Sequence, residues 1–174
     1  MPKFFATNKF PLLDKPEDSA AETLVLTALQ QTPGYLVRVL QIQIFEAFFE
    51  YFSPIGISPA EHSLLIVIRD NPAVTQSQVA SVLRIQLPNL VKILLKLETN
   101  GLIGRKRSRM DKRAVELTLT ARGERLATQA SKMADVFNGL MLSPLSASEQ
   151  KQFLRMLGRL LHSQTNRPGG TLQA

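Results

Sequence analysis

Six cations fall within residues 105–113: Arg105, Lys106, Arg107, Arg109, Lys112 and Arg113. Guanidinium and ammonium groups packed this closely suit a polyanion. Arginine holds phosphate bidentately, and at a hairpin tip it can enter a narrow minor groove, where the potential is most negative. Residues 84–113 hold nine Lys/Arg against two Asp/Glu, a local excess of seven that equals the net charge of the whole chain, +7. The positive charge is therefore placed, not spread. Asp111 stands two residues before Arg113. A carboxylate beside a polyanion repels it, so Asp111 is expected to fix an arginine or the turn.

A second set of residues precedes these cations. Leu90, Leu94 and Leu97 recur at helical spacing and should anchor a helix to a core. Pro88, Asn89, Val91, Lys92 and Lys96 fall elsewhere on that helix, and Gln86 stands just before it. Asparagine pairs bidentately with adenine, lysine reaches guanine or phosphate, and valine can touch a thymine methyl. Thr75, Gln76 and Ser77 open the preceding helix. Capping is their first role, with phosphate contact a frequent addition.

The elements that must position these groups are legible from their start signals. Ser58-Pro59-Ala60-Glu61, Thr75-Gln76-Ser77-Gln78 and Ser146-Ala147-Ser148-Glu149 each combine a capping hydroxyl with a carboxylate or amide three residues on. Thr120 is expected to cap a further helix, with Asn138-Gly139 a possible bend. Helices are predicted over 21–31, 34–52, 59–70, 76–83, 88–99, 121–142 and 147–162. In the last strand Val115, Leu117 and Leu119 alternate with Glu116 and Thr118, so strands are predicted over 102–107 and 114–119. Helix, short turn, helix and hairpin make a winged helix-turn-helix, in a mainly α chain whose only sheet is the wing.

Residues 33–52 are apolar on most of the helix circumference, and Phe153, Leu154, Met156, Leu157, Leu160 and Leu161 make a second wide stripe. One small domain can hardly cover both, so a homodimer joined by its terminal helices is expected. The division predicted is an N-terminal arm over 1–20, dimerisation helices over 21–56 and 121–163, a DNA-binding lobe over 57–120, and a tail over 164–174. Three prolines forbid one helix in 1–20, yet Phe4, Phe5 and Phe10 are unusual for a solvated segment. Either an arm packed on a partner or a mobile tail fits.

Bulk composition narrows the function. The pI near 10.1 favours nucleic acid or an anionic surface over acidic substrates. The first twenty residues lack the apolar run of a signal peptide, no stretch is apolar enough to span a bilayer, and the cytoplasm is the expected compartment. With no Cys there is no disulfide, thiolate metal site or thiol sensor. His62 and His162 have no metal-ligand spacing, and no nucleophile motif or phosphate-cradling glycine loop is present. Neither an enzyme nor a bound cofactor is expected.

Tyr35, Arg38, Gln41, Ile42, Phe45, Phe49 and His62 could bind a small-molecule effector: a cation and an imidazole near an aromatic wall would hold a carboxylate against a planar ring. The plainer reading makes the phenylalanines core and pairs Arg38 with a glutamate across the dimer.

The segment Leu97-Glu98-Thr99-Asn100-Gly101-Leu102-Ile103-Gly104-Arg105, followed by Asp111-Lys112-Arg113, Leu119-Thr120 and Gly123, resembles the MarR family of transcriptional regulators. The resemblance covers roughly residues 33–163. It implies a dimeric repressor on a pseudo-palindromic operator, released by a small molecule, with Arg113 in the minor groove and Asp111 steadying the wing. Two departures stand out. Gln86, Leu87, Pro88, Asn89 and Val91 replace the Asp, Ser and Thr usual at the start of the recognition helix, so the operator should differ. The absence of Cys removes the peroxide-sensing branch. The Pro33-Gly34-Tyr35-Leu36-x-Arg38 segment is similar to members that answer to aromatic acids or aromatic acyl-CoA esters. Two other readings remain: an architectural DNA-binding protein that senses nothing, and a winged-helix module for protein–protein assembly.

Overall fold

A computed structural model describes residues 27–107 and 114–165. The arm over 1–20, most of the first predicted helix, the wing-tip residues Arg109, Asp111, Lys112 and Arg113, and the chain after Thr165 lie outside the described residues. The chain forms two compact units, Met1–Phe137 and Asn138–Ala174, taken in turn.

In the first unit, α1 (Thr27–Gln30) is followed by α2 (Pro33–Tyr51), which begins with proline at its first position. A short 3-10 turn leads to α3 (Pro59–Asp70), where the Ser58 N–H donates to Glu61 Oε2 at 2.8 Å and the Glu61 N–H to Ser58 Oγ at 3.2 Å. Thr75 and Gln78 repeat the reciprocal cap on α4 (Gln76–Leu83). Then come α5 (Leu87–Thr99), β1 (Ile103–Arg107) and β2 (Val115–Leu119), antiparallel with Ile103 opposite Leu119 and Arg107 opposite Val115. The predicted bounds hold within a residue or two for α2 to α5 and both strands, while of the helix predicted over 21–31 the described part is Thr27–Gln30.

β2 is paired on both edges. One edge takes β1; at the other, Thr75 bridges to Glu116 and the Leu117 N–H donates to the Val74 carbonyl at 2.9 Å. The backbone leading into α4 is thus pinned to the free edge of the two-stranded wing by a single bridge.

Helix α6 (Ala121–Met141) starts at Thr120, whose hydroxyl accepts from the Gly123 N–H at 3.0 Å and donates to the Gly101 carbonyl at 2.7 Å. It runs unbroken through Asn138 and Gly139, where a bend was possible. Gly123 is required by a close approach: a Cβ there would stand 2.0 Å from the Leu102 carbonyl oxygen.

Leu64, Leu65, Val79, Leu90, Leu94 and Leu117 are fully buried in one core under the helix-turn-helix and wing. A second core joins α2 to α6, with Phe48 and Phe52 stacked at 3.8 Å and Phe137 edge-on to both.

In the second unit, α7 (Ala147–Thr165) begins with the expected Ser146–Glu149 cap and runs past the predicted end at residue 162, into the segment expected to fray. Leu154, Met156, Leu160 and Leu161 are exposed on it. Among the described residues no helix is long and apolar enough to cross a membrane.

Candidate nucleic-acid interface

The helix-turn-helix pair is α4 and α5. Its turn rests on Arg84, which closes α4 in the left-handed region at φ 51°, while the Ile85 N–H reaches the Ala80 carbonyl. A side chain in that conformation costs roughly 1–2 kcal/mol against right-handed backbone, which is why glycine usually stands there. Arg84 is exposed. At the other end of α5, Gly101 adopts φ 66°, with the Gly101 N–H on the Glu98 carbonyl and the Leu102 N–H on the Leu97 carbonyl. This pair of hydrogen bonds turns the chain straight into β1.

Leu90, Leu94 and Leu97 face the core, as expected. Gln86, Pro88, Asn89, Val91 and Lys92 are exposed along the rest of α5. Ser77 is exposed at the start of α4; Thr75 and Gln76 are half-buried there, with Thr75 engaged in the cap.

Several expected DNA-facing cations are already held by carboxylates. Lys96 Nζ lies 2.7 Å from Glu61 Oε1. Arg105 Nη2 lies 2.7 Å from Glu98 Oε2, and its Nε is buried with no hydrogen-bond partner among the described residues. Lys106 pairs with Glu116 at 3.3 Å. Arg107 is exposed at the end of β1. The Arg105–Glu98 pair ties the wing to the recognition helix, and the Lys96–Glu61 pair ties that helix to the start of α3.

Glu61 and Glu98 were missed as partners. The sequence signals a cap at Glu61 but not a lysine 35 positions away. Burial pushes the Glu61 carboxyl up, but the Lys96 ammonium and the Ser58 N–H and hydroxyl outweigh it and hold the pKa below its ordinary value.

The residues proposed for a small molecule divide. Arg38, Gln41, Ile42, Phe45 and Phe49 are exposed on α2, and Tyr35 is half-buried. His62 instead packs edge-on to Phe48 and Phe52, at 5.8 and 5.7 Å, and its Nε2 is buried without a partner among the described residues. Burial, and then the nearby Arg69 charge, lower its pKa. A cleft of about 560 Å³ lies elsewhere, lined by Ile55, Ile57, Glu61, Lys96, Arg122 and Arg125 among others. None of the seven expected ligand residues lines it.

A profile of the MarR family matches residues 57–115. An HTH-type transcriptional repressor of Mycobacterium tuberculosis is 31% identical over 127 residues, spanning 73% of this chain and 91% of that protein. The transcriptional repressor CouR, solved bound to a 23-mer DNA duplex, superposes with a TM-score of 0.75 at 30% identity, over 80% of this chain and 99% of that one. Wild-type MarR of E. coli in its apo form gives 0.66 at 25% identity, over 75% and 97%. With the helix-turn-helix pair and the antiparallel hairpin in place, the chain belongs to the MarR family of DNA-binding transcriptional regulators.

Proposed function

We propose that the protein is a homodimeric repressor that sets α5 of each subunit into successive major grooves of an operator, about 34–36 Å apart. The observation that carries this reading is the Arg105–Glu98 ion pair, which fixes the cationic wing beside the exposed side of α5. Wing and helix then meet a duplex as one body. Lys96 and Arg105 serve mainly as struts, while Lys92, Arg107 and the wing-tip cations Arg109, Lys112 and Arg113 neutralise phosphate or enter the minor groove. Asp111 steadies the tip. Likeness to a repressor bound to duplex DNA supports the same partner.

Salt titration of duplex binding tests the proposal. If the dimer neutralises about 6–10 phosphates, affinity falls by roughly 10³–10⁵ between 50 and 200 mM salt. Salt-independent binding, or none, would instead favour a protein-interaction module.

Release by a small organic anion, an aromatic acid or aromatic acyl-CoA, completes the proposal. The aromatic stripe of α2 with Arg38, and the Arg122 and Arg125 guanidinia at the cleft, both suit a carboxylate or phosphate on an apolar body. A thermal-shift panel of such compounds decides between this and an architectural protein, which would respond to none.

A further inference from the structure

A helix meant for the major groove is expected to present polar groups. α5 presents an aliphatic ridge. Leu87, Val91 and Leu95 are 48%, 40% and 58% exposed. They recur every four residues, so they stand on one side of the helix, roughly 6 Å apart per step. Leu90, Leu94 and Leu97 take the buried side, so the ridge contributes nothing to the core. Lys92 and Lys96 are both exposed beside it, but Lys96 lies 2.7 Å from Glu61 Oε1.

Something must cover such a ridge, and the surroundings say what. Arg105 and Glu98 fix the cationic wing next to it, and the wing with Lys92 supplies the charge complement of a polyanion. The ridge is therefore continuous with the surface that meets duplex DNA. On the major-groove edge of B-DNA the apolar group is the C5-methyl of thymine. We propose that Leu87, Val91 and Leu95 read thymine methyls, so that sequence preference at these positions comes from dispersion and dehydration and not from hydrogen bonds. Lys92 anchors the helix beside them. This rests on the DNA-binding reading above. The 6 Å step is close to two base-pair rises of about 3.4 Å, so contacted thymines should stand about two base pairs apart in each half-site.

The full-length protein would first select a preferred duplex from a randomised pool. Each thymine of that duplex is then replaced by uracil, which lacks only the methyl. Affinity should fall about fourfold per contacted methyl, the value of one buried methylene-sized group. The Val91→Ala and Leu95→Ala proteins, with melting temperatures matched to the parent, should lose that sensitivity at the positions concerned. Uracil tolerated at every position, or alanine variants that still discriminate uracil from thymine, would overturn the inference while leaving DNA binding intact. Failure to select any duplex over scrambled DNA would bring down the DNA-binding reading and this one with it.

Discussion

His62 is the residue whose chemistry is most constrained by its surroundings. Its ring meets Phe48 and Phe52 edge-on, and the buried Nε2 has no acceptor or donor among the described residues. Protonation there would leave a charge in an aromatic pocket near Arg69, so the pKa is depressed below its ordinary 6.5. The unfolded chain then binds the proton more readily than the folded one. The stability that neutral His62 contributes is full above about pH 6.5 and drains away as pH falls through the folded value. The melting temperature should therefore decline as pH falls below 6.5, a window above that of Glu61, whose contribution is lost only in stronger acid. His62→Phe should flatten that slope, and an unchanged slope would place the titration elsewhere. Two other residues show where reading by residue type stops. Arg84 is a poor match for a left-handed turn, so nothing in its identity announces the conformation. Glu61 looks like a cap and is one, but its second oxygen serves a lysine from another helix.

At the scale of elements, helix starts were legible because a cap is written in four consecutive residues. Ser58, Thr75, Thr120 and Ser146 all cap where expected. The close approaches between elements were less so, because they depend on contacts. Gly123 illustrates this: it sits in the first turn of α6, where any good helix former would serve locally, yet the Leu102 carbonyl forbids a side chain. Gly139, in the same helix, has open space around it. Gly123→Ala should destabilise by about 1–3 kcal/mol through forced displacement. Gly139→Ala should stabilise by roughly 0.5–1 kcal/mol through reduced backbone freedom in the unfolded chain. Thermal or urea denaturation of the pair checks the opposite signs; two equal shifts would mean that α6 does not approach β1 as closely as described.

At the scale of the molecule, composition announced too much apolar helix for one chain to cover. The structure shows where it lies. Leu36, Leu40, Phe45 and Phe49 are 40–55% exposed on α2, and Leu154, Leu160 and Leu161 are 57–62% exposed on α7. Burying a Leu or Phe fully yields about 1.5–3 kcal/mol, so a set of this size can offset an association cost of roughly 4–15 kcal/mol. Light scattering should give twice the 19.4 kDa chain mass. Leu40→Glu and Leu160→Glu should each shift the population toward single chains and weaken operator binding. A parent protein that runs at 19.4 kDa would remove the homodimer from the proposal. Which apolar positions of α2 and α7 stay exposed was not legible in the sequence, because periodicity cannot distinguish a core within one chain from a seam between two.

The bridge from Thr75 to the edge of β2 carries a mechanical implication. Val74 and Thr75 lock onto β2 immediately before α4 begins, and β1 hangs from the end of α5. The hairpin is thus hitched to the entry of α4 and the exit of α5, like a bracket bolted at both ends. If the wing meets a groove as proposed, a displacement of β1 or β2 is carried to both helices. It is handed on as rotation of the whole reading unit, so the groove width beside a site should be felt in how well its bases are matched.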